Sequence, residues 1–224
     1  LLIYKIFLTK YTFLFNTLLI IKIFMKKTYY FFNFISSYRN IFLKVLFFEI
    51  LYSIRFGTLI PKIKIHNNAK RTDTVPCVYY FLHEISKFLK EKGIKSIVDI
   101  GSGYGRVVNF ISSINNIKTC GVEYDKDAFN YSLKIRKKNI NLYCGDIFDF
   151  DLKMFNSKCF ILVEPFKKVK DRTKLLNKIK RIYPKQKKYI IAVNNYRGNF
   201  PKFLKLIHST IASKSRTLKI FEIS

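Results

Sequence analysis

The run Val98-Asp99-Ile100-Gly101-Ser102-Gly103-Tyr104-Gly105 constrains this chain more than any other stretch. An apolar segment ends in glycines at alternate positions, which reads as a β-strand turning sharply into a helix. Glycine turns tightly and lets a ligand approach the backbone with no Cβ in the way. The helix that follows presents unpaired N–H groups at its start. Such strand–turn–helix units bind nucleotides, and spacing decides which kind. A dinucleotide fingerprint, Gly-x-Gly-x-x-Gly, needs its third glycine at position 106, where this chain has Arg106. The pattern here is Asp-x-Gly-x-Gly-x-Gly. Its acid, Asp99, would repel a phosphate and attract the ammonium group of an amino acid.

Short apolar runs and amphipathic stretches alternate around this turn. Strands are expected at 96–100, 118–123, 140–144, 159–163 and 188–193, with helices at 77–92, 104–114, 126–138 and 168–182. A closing pair falls near 203–211 and 217–223. This alternation implies an α/β domain with a parallel sheet covered on both faces. The domain is expected over residues 77–224, after a connector at 61–76 marked by the turn formers Pro61, Asn67, Asn68, Asp73, Thr74 and Pro76.

Residues 1–60 have another texture, apolar and aromatic with scattered Lys, and an apolar helical appendage is expected there. Tyr11–Ile21 is an uncharged run of eleven residues, short of the ~20 that a membrane-spanning helix needs. Leu1–Ile23 would span only with Lys5 and Lys22 snorkelling and Lys10 tolerated. Ile41–Ile54, interrupted by Lys44 and Glu49, suits an amphipathic helix lying on a membrane or on the domain. Residue 1 is Leu and the first methionine is Met25. An uncleaved signal-like segment and a natural start at Met25 both fit that beginning. The expected location is cytoplasmic, with a membrane surface as a partner through residues 1–60 the alternative left open.

The net charge of +28 has two readings. A field of that sign attracts nucleic acid or an anionic membrane. Yet Lys is spread along the whole chain, and Lys, Ile, Asn, Phe and Tyr are the residues that A+T-rich codons encode, so the excess is equally a matter of composition. Cys77, Cys120, Cys144 and Cys159 form no CxxC pair and lie far in sequence from His66, His83 and His208. No metal site is expected from that spacing, and buried thiols are.

The turn Asp99–Gly105 resembles the first motif of the class I S-adenosylmethionine-dependent methyltransferases, and further features fall in that family's order. The resemblance implies a Rossmann-like fold, a mostly parallel seven-stranded sheet with helices on both faces, and S-adenosyl-L-methionine as cosubstrate. Asp99, Gly101, Ser102, Gly103 and Gly105 would form its glycine-rich turn. Glu123, with Tyr124 after it, falls where the family holds both ribose hydroxyls, two acceptor oxygens meeting two donors. Asp146 and Ile147 fall where it holds the adenine amino group and packs on the ring. Glu164-Pro165-Phe166 follows the fourth strand, on the side where substrate meets an open α/β sheet.

Gly101–Val108 is also similar to a subset that methylates protein lysines, including the enzymes acting on the adenine nucleotide translocase and the ATP synthase c-subunit. There a Thr/Pro stretch closes over the methionine end of the cofactor, a role that would fall to Thr74 in Thr72–Pro76. Amino-methylating nucleic-acid enzymes carry Asn/Asp-Pro-Pro-Tyr/Phe at the fourth motif, and this chain departs from it with Glu164-Pro165-Phe166. Phe166 could stack on a base or line a lysine channel. Glu164 could orient an amine, take its proton, or cap the next helix. The expected activity is methyl transfer to an unidentified acceptor, a protein lysine or other amine. RNA or DNA methylation and a non-catalytic binding module are the alternatives.

Overall fold

The computed structural model describes residues 28–29, 33–56, 73–194 and 198–223. The run Tyr11–Ile21, the start at Met25 and the greater part of the 61–76 connector lie outside them.

Seven strands form one sheet: β1 (Ser96–Ile100), β2 (Lys118–Glu123), β3 (Ile140–Cys144), β4 (Cys159–Val163), β5 (Lys188–Val193), β6 (Lys205–Ile211) and β7 (Thr217–Ile223). Their order is β3-β2-β1-β4-β5-β7-β6. The first five run parallel, and the β6–β7 hairpin is antiparallel. The sheet is the mostly parallel, seven-stranded one that the motif series implies. Chain order reverses between β1 and β4, and the crevice above such a reversal is where open α/β sheets bind ligands.

Five α-helices are described: α1 (Phe42–Phe56), α2 (Tyr79–Glu91), α3 (Arg106–Asn115), α4 (Lys126–Ile135) and α5 (Val169–Ile182). Buried strand residues alternate between two cores. Ile97, Ile161, Ile191 and Ile220 pack with Tyr52, Phe81, Leu89 and Phe110 from α1, α2 and α3. Val98, Phe160, Ile190 and Phe221 pack on the opposite face with Leu175 and Ile179 of α5 and with Leu152 and Phe155. Both faces are therefore dry, which is why these strands read as continuous apolar runs.

Six of the seven strands match the sequence reading residue for residue, β6 starting at Lys205 instead of 203, and helix ends move for local reasons. α2 begins at Tyr79, because Val78 is still extended (φ −68°, ψ 145°) after Pro76. α3 begins at Arg106, because Gly105 is left-handed (φ 79°). α4 stops at Ile135, where Arg136 turns extended. Residues 147–149 and 152–155, which the periodicity leaves as loop, are 3-10 turns capped by Asp146 and Asp151. β6 ends the sheet with nearly every residue exposed and a register shift between Leu206 and His208.

α1 lies against the domain. Val45, Glu49, Tyr52 and Ser53 are buried, and Tyr52 meets Phe110 edge-on at 4.9 Å and His83 Nδ1 through its hydroxyl at 3.0 Å. No helix among the described residues is long and apolar enough to cross a membrane.

Candidate functional site

Above the C-terminal ends of β1–β4 lies a cavity of about 600 Å³, within the ~300–1,000 Å³ range of small-molecule sites. Thr74, Asp99, Gly101, Ser102, Gly103, Gly105, Glu123, Tyr124, Asp146, Ile147, Pro165 and Phe166 all line it. Glu164 does not. It sits beside the cavity in a left-handed conformation (φ 46°) that turns the chain from β4 into Pro165. Nor does it cap the next helix, whose N-cap is Lys168.

Asp99 is the central group. It is the penultimate residue of β1 and has no exposed surface, and among the described residues neither carboxylate oxygen has a hydrogen-bond partner. Burial pushes its carboxyl well above the usual range, and the nearby charge of Glu123 adds to the effect. An unpaired buried carboxylate is costly. This one lines a cavity, so a cationic ligand group would relieve it.

The glycine turn is held by its own amides. Gly101 and Ser102 both donate to the Val122 carbonyl (2.9 and 3.1 Å), Gly105 donates to Ser102, and Gly103 donates to Glu123 Oε2 at 2.6 Å. Amides committed in this way cannot form the nest of free N–H groups that cradles a phosphate. Geometry thus agrees with Arg106 in excluding a dinucleotide site. Gly101 and Gly103 are left-handed (φ 76° and 53°), and both are tightly approached. A Cβ on Gly101 would lie 2.7 Å from Pro165 Cβ, and one on Gly103 would lie 2.8 Å from Thr74 Cγ2. Ser102 packs over β2, where a Cβ on Gly121 would meet its Oγ at 2.9 Å.

Glu123 has a second task that the sequence does not announce. Its Oε1 accepts from Asp125 N–H at 2.7 Å and its Oε2 from Gly103 N–H. It therefore ties the glycine turn to the end of β2, while each oxygen retains a further lone pair for a ligand hydroxyl. Burial pushes its carboxyl upward, and these backbone donors pull it back. Asp146 accepts from Phe148 N–H at 3.0 Å, which fixes its carboxylate at the rim beside Ile147. Phe166 and Phe148 stand 5.9 Å apart on the β4 side. Three of the four cysteines, Cys77, Cys120 and Cys159, are buried thiols, whereas Cys144 is exposed.

The largest element missing from the sequence reading is a three-helix junction beneath the cavity. Glu49 of α1 is wholly buried and grips Arg106, the first residue of α3, through Nη2–Oε2 at 2.8 Å and Nη1–Oε1 at 3.2 Å. Glu49 Oε1 also accepts from Tyr79 N–H at 2.6 Å, supplying the start of α2 with the acceptor that Val78 lacks. The Arg106 guanidinium lies over the Tyr79 ring (3.8 Å) and donates to the Cys77 carbonyl at 2.9 Å. Arg106 and Phe56 themselves line the cavity. The available signal was Glu49 itself, a lone acid in an apolar helix, since such a group when buried needs a cation.

Residues 81–219 match the family profile of MetW, the methionine biosynthesis protein MetW. No curated protein sequence matches the chain. Among solved structures, one described as a caffeoyl-CoA O-methyltransferase from Staphylococcus aureus aligns at TM-score 0.51 and 15% identity, covering 67% of this chain and 86% of that one. An RNA methyltransferase from Salinibacter ruber, in complex with S-adenosyl-L-homocysteine, aligns at TM-score 0.47 and 17% identity, covering 66% and 94%. A SAM-dependent methyltransferase from Aquifex aeolicus aligns at 0.48 and 17%, covering 62% and 88%. At such identities the first likeness is one of fold: the Rossmann-like fold of class I methyltransferases.

Proposed function

The chain belongs to the MetW family, and on that premise we propose that it is a methyltransferase using S-adenosyl-L-methionine as cosubstrate. The observation that carries this reading is Asp99, a buried carboxylate without a hydrogen-bond partner among the described residues, lining a cavity near the end of the central strand. A ligand bearing both an α-ammonium group and a sulfonium supplies the charge it needs.

The cavity residues fit such a ligand. Asp99 would take the ammonium group, Glu123 the ribose hydroxyls, and Asp146 with Ile147 the adenine. Thr74, pressed onto Gly103, would cover the methionine end. The sulfonium is a strong electrophile in its own right, so the protein has chiefly to orient the two partners. Pro165 and Phe166 line the β4 side, where the acceptor would enter with its lone pair directed inward.

An amine acceptor, a protein lysine among them, is the finer form of this reading, and the Phe148–Phe166 pair could flank an aliphatic amine chain. Neither the family match nor these neighbours single out the lysine-methylating subset. A nucleic-acid acceptor is the second reading, favoured by Lys137, Lys167, Lys168 and Lys174 along the cavity wall. Calorimetry should detect S-adenosyl-L-methionine binding to the purified chain. Incubation of that chain with lysate and methyl-labelled cosubstrate, followed by separation of protein, RNA and lipid, should show label in one fraction. Absence of binding would sink the cosubstrate assignment. Label confined to RNA would replace the amine reading with the second.

A further inference from the structure

We propose that the outward face of α1 is a docking surface for an anionic lipid bilayer, independently of what the cavity binds. The helix has two unlike faces. Val45, Glu49, Tyr52 and Ser53 face the domain and are buried. Opposite them, Leu43, Phe47, Ile50, Leu51 and Ile54 stand 75%, 60%, 49%, 46% and 72% exposed. At about 100° per residue, these five fall within an arc of about 100° along nearly the whole helix. A contiguous apolar stripe of this kind marks an interaction surface rather than the scattered exposure normal for a monomer.

Charge selects the occupant. The cationic side chains Lys44 and Arg55 are exposed along one border of the stripe, and Arg39 is exposed just before the helix. The one acid of α1, Glu49, is turned inward and spent on Arg106. The outward face thus carries apolar and basic groups with no carboxylate. Long basic side chains beside an apolar stripe can bury their stems and hold their heads at lipid phosphates. A second copy of the same face would bring like charges together with nothing to offset them. Phe56, the last residue of α1, lines the cavity, so a docked α1 would bring the cavity to the interface.

The test is sedimentation of the full chain with vesicles of phosphatidylcholine alone or mixed with phosphatidylglycerol. At a net charge of +28 the chain will adhere to anions non-specifically, so the decisive arm is run at about 0.5 M salt, where long-range attraction is screened. The wild type should still partition onto mixed vesicles there. The Leu43→Ser/Phe47→Ser/Ile54→Ser variant should lose that partitioning by at least about tenfold. Lys44→Glu/Arg55→Glu should weaken binding at low salt. The chain has no tryptophan, so Phe47→Trp gives a single indole probe whose emission should shift to the blue on mixed vesicles and be quenched by brominated lipid. That arm stands even if the triple variant fails to fold. Four outcomes overturn the proposal. The triple variant could bind like the wild type, the indole of the Phe47→Trp variant could stay in water, or the wild type could be a dimer that the triple variant dissociates without either form binding vesicles. A monomer that ignores both vesicle types, its stripe covered by residues 1–27 of its own chain, counts equally against it.

Discussion

Glu49 and Arg106 form a doubly hydrogen-bonded ion pair in which the carboxylate is wholly buried and the guanidinium side chain is 12% exposed. The pair joins α1 to α3, and through Tyr79 N–H it joins both to α2. Replacing either partner alone leaves a buried charge and typically costs ~3–5 kcal/mol. Glu49→Ala and Arg106→Ala should each lower the urea midpoint accordingly. Arg106→Lys should recover little, because one ammonium cannot serve both carboxylate oxygens and the Tyr79 ring. Removing both charges as Glu49→Leu/Arg106→Met should cost less than the sum of the two single changes. Additive losses would mean that the pair is not a unit.

Asp99 makes ligand binding sensitive to pH. Its carboxyl is pushed upward by burial, so the ligand-free protein keeps a proton there at pH values where an ordinary carboxylate has lost it. A cationic ligand prefers the ionised form. S-adenosyl-L-methionine should therefore bind more tightly as pH rises toward the raised value, releasing a proton as it binds, and level off above it. Stability of the ligand-free chain should run the other way. The folded state holds the proton more firmly than the unfolded state does, so the Asp99 contribution is full below the ordinary carboxylate range and is lost as pH rises through the raised one. Asp99→Asn should flatten both profiles. Calorimetry in two buffers of different ionisation heat would detect the proton, and a pH-independent affinity in the wild type would contradict the assignment.

The glycine turn should be intolerant in a way that can be partly repaired. Gly103→Ala places a Cβ 2.8 Å from Thr74 Cγ2 in a left-handed residue. The conformational part alone costs about 1 kcal/mol. Adding Thr74→Ser removes the methyl group and should return part of the lost stability and affinity. Gly101→Ala meets Pro165 Cβ at 2.7 Å, a ring atom with nowhere to go, so no such relief is available and the loss should be larger. Thermal unfolding and cosubstrate affinity would be compared across the series. Equal losses at both glycines would argue against this geometry.

Glu123 should prove structural as well as ligand-binding. Glu123→Ala strips an acceptor from the amides of Gly103 and Asp125, and a buried donor left unpaired costs ~1–3 kcal/mol. The ligand-free protein should lose stability, and affinity should fall by at least about tenfold. Glu123→Gln offers only one carbonyl oxygen and should fall between. If Glu123 served only the ligand, the ligand-free Ala variant would be as stable as the wild type.

Much of the architecture is legible in the chain because the sheet is buried on both faces. Val98, Phe160 and Ile190 had to be apolar along with their neighbours Ile97, Ile161 and Ile191, and such runs bound themselves. The cavity-lining turns were legible for the same topological reason: each follows a strand, and parallel strands end on one side. What escaped is chiefly how distant segments meet and how single residues turn. Arg106 reads as the residue that spoils a fingerprint, and only folding brings Glu49 to it across 57 positions. Glu164 sits in the right motif, but its left-handed backbone sets it beside the cavity rather than in its lining, which no side-chain pattern encodes. Asp125 and Asp151, which fall between the elements that periodicity marks out, are helix caps.

β6 is the last strand of the sheet among the described residues, and its far side presents a row of main-chain donors and acceptors that none of them pairs. Such an edge invites a strand from another molecule. The irregularity between Leu206 and His208 breaks the spacing that an incoming strand would have to match, and Lys205 puts a charge at one end of it. Concentrated solutions should consequently stay clear of edge-to-edge fibrils while the hairpin keeps that kink, and a substitution that straightened it would turn the last strand into a template.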